Sequence, residues 1–143
     1  MSAATHHDAQ LVLQFYEMRR EPRLRQARAF LGGSFKAKTF EEFQKTCPLG
    51  SEENASFRQV TTYWDMVGAI VKRGLVDIEL FFETNGEVTF VWEKTKHLLP
   101  ELRAFYKMPS YLSNLEWVGL KRESWLNEKT PEYLPAMRQR LGL

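Results

Sequence analysis

The sequence predicts an all-α fold: a compact bundle of about six to seven helices, several of them short, in a single domain. Three observations carry that prediction. Phe57, Val60, Trp64, Val67 and Val71 recur at intervals of three and four, which draws one apolar stripe along one long helix. Gly74-Leu75-Val76-Asp77 joins a helix stop directly to a helix start. Ser or Thr is followed three residues later by Glu or Gln at Thr39/Glu42, Ser56/Gln59 and Ser113/Glu116, the spacing of a capping box.

In chain order, Asp8 precedes Leu11, Val12, Phe15, Tyr16 and Met18, whose spacing predicts a first helix ending near Glu21-Pro22. Pro22 suits the first turn of a second helix, which carries Leu24, Ala27, Phe30 and Leu31 and stops at Gly32-Gly33. Thr39 starts a short helix that Cys47-Pro48-Leu49-Gly50 ends. The long striped helix starts at Ser56, or a turn earlier at Ser51, with Gly68 beside its stripe permitting close helix approach. Its last turn holds Lys72 and Arg73, cations that oppose the negative helix end, and Gly74 can take the left-handed conformation beyond them. Asp77 then caps the next helix, and Val76 with Phe81 has the spacing of a hydrophobic staple.

Residues 78–92 admit a competing reading. Ile78, Leu80 and Phe82 alternate, Asn85-Gly86 is a hairpin turn signal, and Val88, Phe90 and Trp92 alternate again, which would make the fold α+β. Against it, Val88, Val91, Trp92, Thr95, Leu99, Leu102 and Tyr106 keep helical spacing with no turn between. Two helices broken at Gly86 are therefore preferred, with Pro100 bending or dividing the second. Ser113 then opens a helix to about Asn127, and Thr130-Pro131-Glu132 opens a last one through Leu141.

The 143 residues suit one domain able to bury roughly 68–70% of its unfolded surface. Residues 1–7 are expected to be a flexible tail, with His6 and His7 in it. Net charge is only +2, which argues against a general polyanion binder. Its distribution is uneven: residues 1–47 carry eight basic and five acidic groups, residues 48–99 five and eight, and residues 100–143 seven and five. An acidic middle between basic ends favours contacts within the fold or between subunits. Cys47 is the single cysteine, which excludes an intramolecular disulfide and multi-cysteine metal sites and suits a reducing compartment. No apolar run reaches the roughly 20 residues of a membrane span and the start lacks signal-peptide order, so a cytoplasmic location is expected.

Gly74-Leu75-Val76-Asp77 with Leu80, then Gly86, Trp92, Glu93, Lys94 and Arg103, resembles a broad family of uncharacterised bacterial helical domains. The resemblance spans about residues 10 to 125, and some family members carry a membrane helix ahead of the domain. It implies helices over residues 78–95 and brings no activity or catalytic residues with it.

Four groups of residues are candidate sites. Glu93 and His97 lie four apart on one helical face, the placement of an acid–base pair or of two ligands of a metal. Arg19, Arg20, Arg23, Arg25 and Arg28 form a basic face suited to phosphate, although Glu17 and Glu21 are placed to pair with several of them. Cys47 is read as structural, because no cysteine-enzyme signature surrounds it. Trp64 and Trp92 lie on apolar stripes and belong to the core, whereas Trp117 and Trp125 are candidates for a partner surface. With no motif of a cofactor, metal or catalytic family present, the expected function is a noncatalytic interaction or regulatory module. Its expected partner is a protein or a second copy rather than nucleic acid. The alternatives are a ligand-binding protein or enzyme with an interhelical pocket, and a weak nucleic-acid or anion binder through the arginine face.

Overall fold

A computed structural model describes residues 3–143, and in it the described residues form an all-α domain without strands. Nine α-helices follow one another: α1 (His6–Arg19), α2 (Pro22–Ala29), α3 (Phe40–Thr46), α4 (Glu52–Lys72), α5 (Ile78–Thr84), α6 (Glu87–Thr95), α7 (Leu99–Tyr106), α8 (Ser113–Lys129) and α9 (Tyr133–Leu141). A π-helical turn, Phe30–Ser34, extends α2, and a 3-10 turn, Lys96–Leu98, joins α6 to α7. The count exceeds six or seven; one of the additional helices arises because Pro100 sits in the first turn of α7, so the long C-terminal pattern divides at a tightened turn rather than merely bending.

The α+β alternative fails at Asn85-Gly86. Asn85 is buried and its side-chain amide donates to the Phe81 carbonyl (3.1 Å), so the dipeptide closes α5 and opens α6 instead of reversing a strand. The segment Gly74-Leu75-Val76-Asp77 behaves as its residues dictate. Gly74 is left-handed (φ +73°), and the Asp77 carboxylate accepts from the Leu80 N–H (2.8 Å). Val76 and Phe81 are both buried in the main core.

Several boundaries move, each for a traceable reason. α1 begins at His6, because Thr5 and Asp8 form a reciprocal capping box: the Thr5 hydroxyl accepts from the Asp8 N–H (3.3 Å) and the Asp8 carboxylate from the Thr5 N–H (2.6 Å). His6 and His7 are thus helical rather than part of a tail, while Met1 and Ser2 lie outside the described residues. α4 takes the earlier start, with the Ser51 hydroxyl accepting from the Asn54 N–H (3.0 Å). α2 gives way to the π turn at Phe30, before Gly32-Gly33. α9 starts at Tyr133 rather than Pro131, because Thr130 ends α8 and its hydroxyl donates back to the Leu126 carbonyl (3.2 Å).

The Ser113/Glu116 capping box does not form. Leu112 precedes the first residue of α8 in a left-handed conformation (φ +55°) that has no side-chain cap to offer. Asp65 of α4 supplies it instead, accepting from the Asn114 and Leu115 N–H groups (3.0 and 2.9 Å). Asp65→Ala is expected to cost about 1 kcal/mol, with faster amide exchange at Asn114 and Leu115; unchanged protection at those two amides would show that α8 is capped by other means.

α4 is the central element and packs chiefly against α8 and α2, while α8 also contacts α6 and α9. Its stripe buries Phe57, Val60, Trp64, Val67 and Val71, each worth on the order of 2 kcal/mol on burial. Aromatic rings join that stripe to its neighbours: Phe57 with Phe43 and Phe35 (centroids 4.8 and 5.3 Å), and Phe81 with Phe15 and Trp64 (6.1 and 6.5 Å). Two cations tie the remaining elements together. Arg122 of α8 is buried and donates to the Phe82 carbonyl (3.1 and 2.9 Å) and the Thr89 hydroxyl (2.8 Å), bridging the end of α5 to α6. Lys94 donates to the Leu31 carbonyl (2.9 Å) and to the Phe35 carbonyl, closing the π turn. Among the described residues no helix is long and apolar enough to cross a membrane.

Candidate interaction surface

One side of the domain leaves an aromatic face uncovered, built from α3, the end of α7 and the loop that follows. The α7 helix ends at Lys107, whose left-handed backbone (φ +53°) turns the chain sharply; the Met108 N–H returns to the Arg103 carbonyl (3.0 Å). Glycine is the usual residue at such a position, so Lys107 and the left-handed Leu112 each carry a conformational cost of roughly 1–2 kcal/mol. Buried Leu112 anchors one end of this loop. Arg103 of α7 holds that same end, donating to the Tyr111 carbonyl (2.9 Å) and to Glu116 (3.1 Å).

The loop so held presents Met108, 48% exposed, beside Phe105, 45% exposed, and across α3 lies Leu49, 67% exposed. Ring contacts run continuously through the face: Phe40–Phe105 (5.8 Å), Phe105–Tyr106 (5.2 Å) and Tyr106–Tyr111 (5.1 Å). Two depressions meet at Tyr106. One, about 340 Å3, lies among Phe40, Phe43, Cys47, Leu49 and Phe105. The other, about 460 Å3, runs between Tyr106, Met108 and Tyr111 and an outer stripe of α4, Ala55, Arg58, Gln59 and Thr62. Burial pushes the Cys47 thiol up to about 11, so at the floor of the first depression it is a packed thiol and not a thiolate. The Tyr111 hydroxyl is buried without a hydrogen-bond partner among the described residues.

Glu93 and His97 line one cavity of about 320 Å3, together with Lys38, Lys96 and Arg138. The Glu93 side chain is only 1% exposed, and Arg138 grips both of its oxygens (3.1 and 2.8 Å) while Lys96 adds a third contact (3.0 Å). Burial alone pushes the Glu93 carboxyl up. The bonds from Arg138 and Lys96 outweigh that and hold it below the usual glutamate range. His97 Nε2 donates to the Ala37 carbonyl (3.0 Å), which leaves Nδ1 as the ring's acceptor. Glu93 is thus held ionised as the centre of an ion-pair cluster, a poor arrangement for a group that must exchange a proton. No group of three or more His, Cys, Asp or Glu side chains among the described residues is placed to hold a metal.

The arginine face is largely drawn into the fold. Glu87 of α6 binds Arg28 (2.7 Å) and Arg19 (3.5 Å), and the Arg19 guanidinium also lies over the Trp64 ring (5.3 Å). Arg23 reaches Glu52 and Ser56, and Arg20 pairs with Glu17. Arg25 is exposed without an ion pair among the described residues. Trp125 donates its indole N–H to Glu79 (3.1 Å), packs at a tilt against Phe82 (centroids 5.6 Å) and lies under Arg122 and Lys129. Trp117 is half-buried at a separate depression beside the turn from α4 to α5 and shares no lining residue with the aromatic face. The residues of the aromatic face escape a reading of the sequence because Phe40, Leu49, Phe105 and Met108 come from separate segments, and no periodicity links them.

Fold and surface together define a small all-α domain with tightly paired internal charges and one uncovered aromatic face. The chain belongs to a family described as a domain of unknown function, DUF4760, whose model matches residues 4–121. No curated protein and no solved structure matches the chain. The aromatic face lies wholly inside the matched span, whereas Arg138, which completes the Glu93 cluster, lies outside it. The motif residues Trp92, Lys94 and Arg103 are all engaged internally: Trp92 against Gly119, Lys94 on the π turn and Arg103 on the loop 107–112.

Proposed function

We propose that the domain is a noncatalytic protein-interaction module and that the face around Phe105 and Met108 is its contact surface. The observation that carries this reading is the continuous run of exposed and half-exposed rings from Phe40 to Tyr111 around two depressions. Contiguous apolar surface of this kind is costly in water and marks places where another molecule binds. The noncatalytic part of the proposal is supported by Glu93, whose carboxylate is fixed between Arg138 and Lys96. Trp117 and Trp125 remain candidates for a secondary contact; the Trp125 indole is already bonded to Glu79.

The test compares the full chain with Phe105→Asp, a change at a half-exposed position that is expected to cost about 1 kcal/mol, so urea denaturation first verifies that the variant is folded. Light scattering reads self-association, including the homodimer, and affinity capture from the native cell reads other partners. The wild type is expected to associate, and Phe105→Asp to weaken that association at least tenfold. A wild-type monomer at high concentration that captures nothing, or a complex indifferent to Phe105→Asp, would overturn the proposal.

A further inference from the structure

We infer that the groove between α4 and the loop 107–112 receives an acidic amphipathic helix from another protein. The inference rests on the proposed interaction role of the aromatic face and adds the chemistry of the partner.

Charge gives the sign. Across both depressions Arg58 is the only charged lining residue, and no carboxylate lines either of them. Arg58 is exposed; its Nε donates to Asn54 (2.9 Å), and its two terminal nitrogens make no ion pair among the described residues. Lys107, at the head of the loop beside Met108, is likewise exposed and makes no ion pair among the described residues. Other cations, the exposed Arg25 among them, also lack an ion pair among the described residues; what sets Arg58 apart is its place as the one charge on the wall of an apolar groove. Two exposed cations beside an apolar groove whose lining holds no carboxylate favour an acidic segment over a basic one.

Shape gives the class. Ala55, Arg58, Gln59 and Thr62 recur at helical spacing along α4, so this wall rises about 10 Å, the length of two helical turns. The opposite wall holds Tyr106, Met108 and Tyr111, rings and a flexible thioether able to adapt around apolar anchors. No strand is present among the described residues to offer an edge for β-addition. A helix laid in the groove brings apolar side chains at i, i+3 or i+4 and i+7 over Tyr106 and Met108, and it presents a carboxylate to Arg58.

The probe is a phage-displayed library of helical peptides randomised at every position, selected against the full chain, with retained clones titrated at two salt concentrations. Retained sequences are expected to combine apolar residues at i, i+3 or i+4 and i+7 with Asp or Glu, and to lose at least tenfold in affinity on Arg58→Glu. A charge-reversed peptide carrying Lys at the acidic positions should bind Arg58→Glu better than it binds the wild type. Retained peptides that are basic, proline-rich or indifferent to Arg58→Glu, yet lost on Phe105→Asp, would overturn the acidic-helix inference and leave the face standing. Self-association that Arg58→Glu abolishes, with no peptide retained, would overturn it in favour of a second copy. Peptides retained equally by Phe105→Asp and by Met108→Asp, a change on the wall of the groove itself, would overturn both the inference and the contact surface on which it rests.

Discussion

Gly119→Ala is expected to destabilise the domain by about 2 kcal/mol, although alanine in place of glycine inside a helix normally stabilises by up to about 1 kcal/mol. The sign reverses because α8 lies against Trp92 at this point. A Cβ on Gly119 would stand 2.5 Å from Trp92 Cγ and 2.9 Å from its Cβ, distances that real atoms do not adopt. Trp92 is 4% exposed, so its indole has no open space into which to swing, and α6 and α8 must separate. Gly68 makes the same contact on the other side of α8, where an added Cβ would meet the Asn114 carbonyl oxygen at 2.6 Å. Backbone cannot rotate aside, so Gly68→Ala is expected to cost at least as much. Gly33 is the control: nothing lies within 4 Å of its added Cβ, and Gly33→Ala should be neutral or stabilising by a few tenths of a kcal/mol. Urea denaturation of the three variants reads these values as midpoint shifts at constant slope. A stabilised Gly119→Ala would mean that α6 and α8 do not approach as closely as described.

Gly68 also shows which parts of the fold the sequence makes legible. Its place beside the stripe Phe57 to Val71 announces a close helix approach, and α8 occupies that position. Signals that act within one turn are readable in the same way. Thr39 caps α3 by accepting from the Glu42 N–H (3.1 Å), and Gly74 and Asp77 separate α4 from α5. The charge pattern is legible too: the acidic middle of the chain meets its basic ends inside the fold, at Glu87 with Arg28, Glu79 with Lys129 and Glu93 with Arg138. Groups that act across the chain are not legible. The cap that Asp65 places on α8 joins residues 49 positions apart, and the Arg122 bridge to Phe82 spans 40. Local inspection assigns the α8 cap to Ser113, because nothing near Leu112 reveals its left-handed turn. Glu93 and His97 were legible as neighbours on one face. That Arg138 would occupy both Glu93 oxygens was not, since the pair depends on how α9 folds back over α6.

The Glu93 cluster carries the other large expected effect. Glu93→Ala at neutral pH removes a carboxylate that is 1% exposed and leaves Arg138 and Lys96 facing each other without their shared counter-charge. Removing one partner of a fully buried ion pair costs about 3–5 kcal/mol. Here the two cations are about one-third exposed and regain some hydration, so a loss of about 2–3 kcal/mol is expected. Glu93→Gln keeps the volume and removes only the charge, which lets pH separate the electrostatic part from packing. The folded-state pKa of Glu93 lies below its ordinary value of 4.5, so its ionisation contributes stability that is fully present above that value. The contribution is lost as pH falls through the lower, folded-state pKa. Urea midpoints should therefore differ most between wild type and Glu93→Gln at pH 7, and the gap should narrow progressively once pH drops below about 4.5. A gap that stays constant into strong acid would mean that the amide disturbs the shape of the site and that the charge of Glu93 contributes little. A gap that closes assigns Glu93 to the joint between α6 and α9, the same structural use to which the fold puts Arg19, Arg28 and Glu87 at the opposite end of α6.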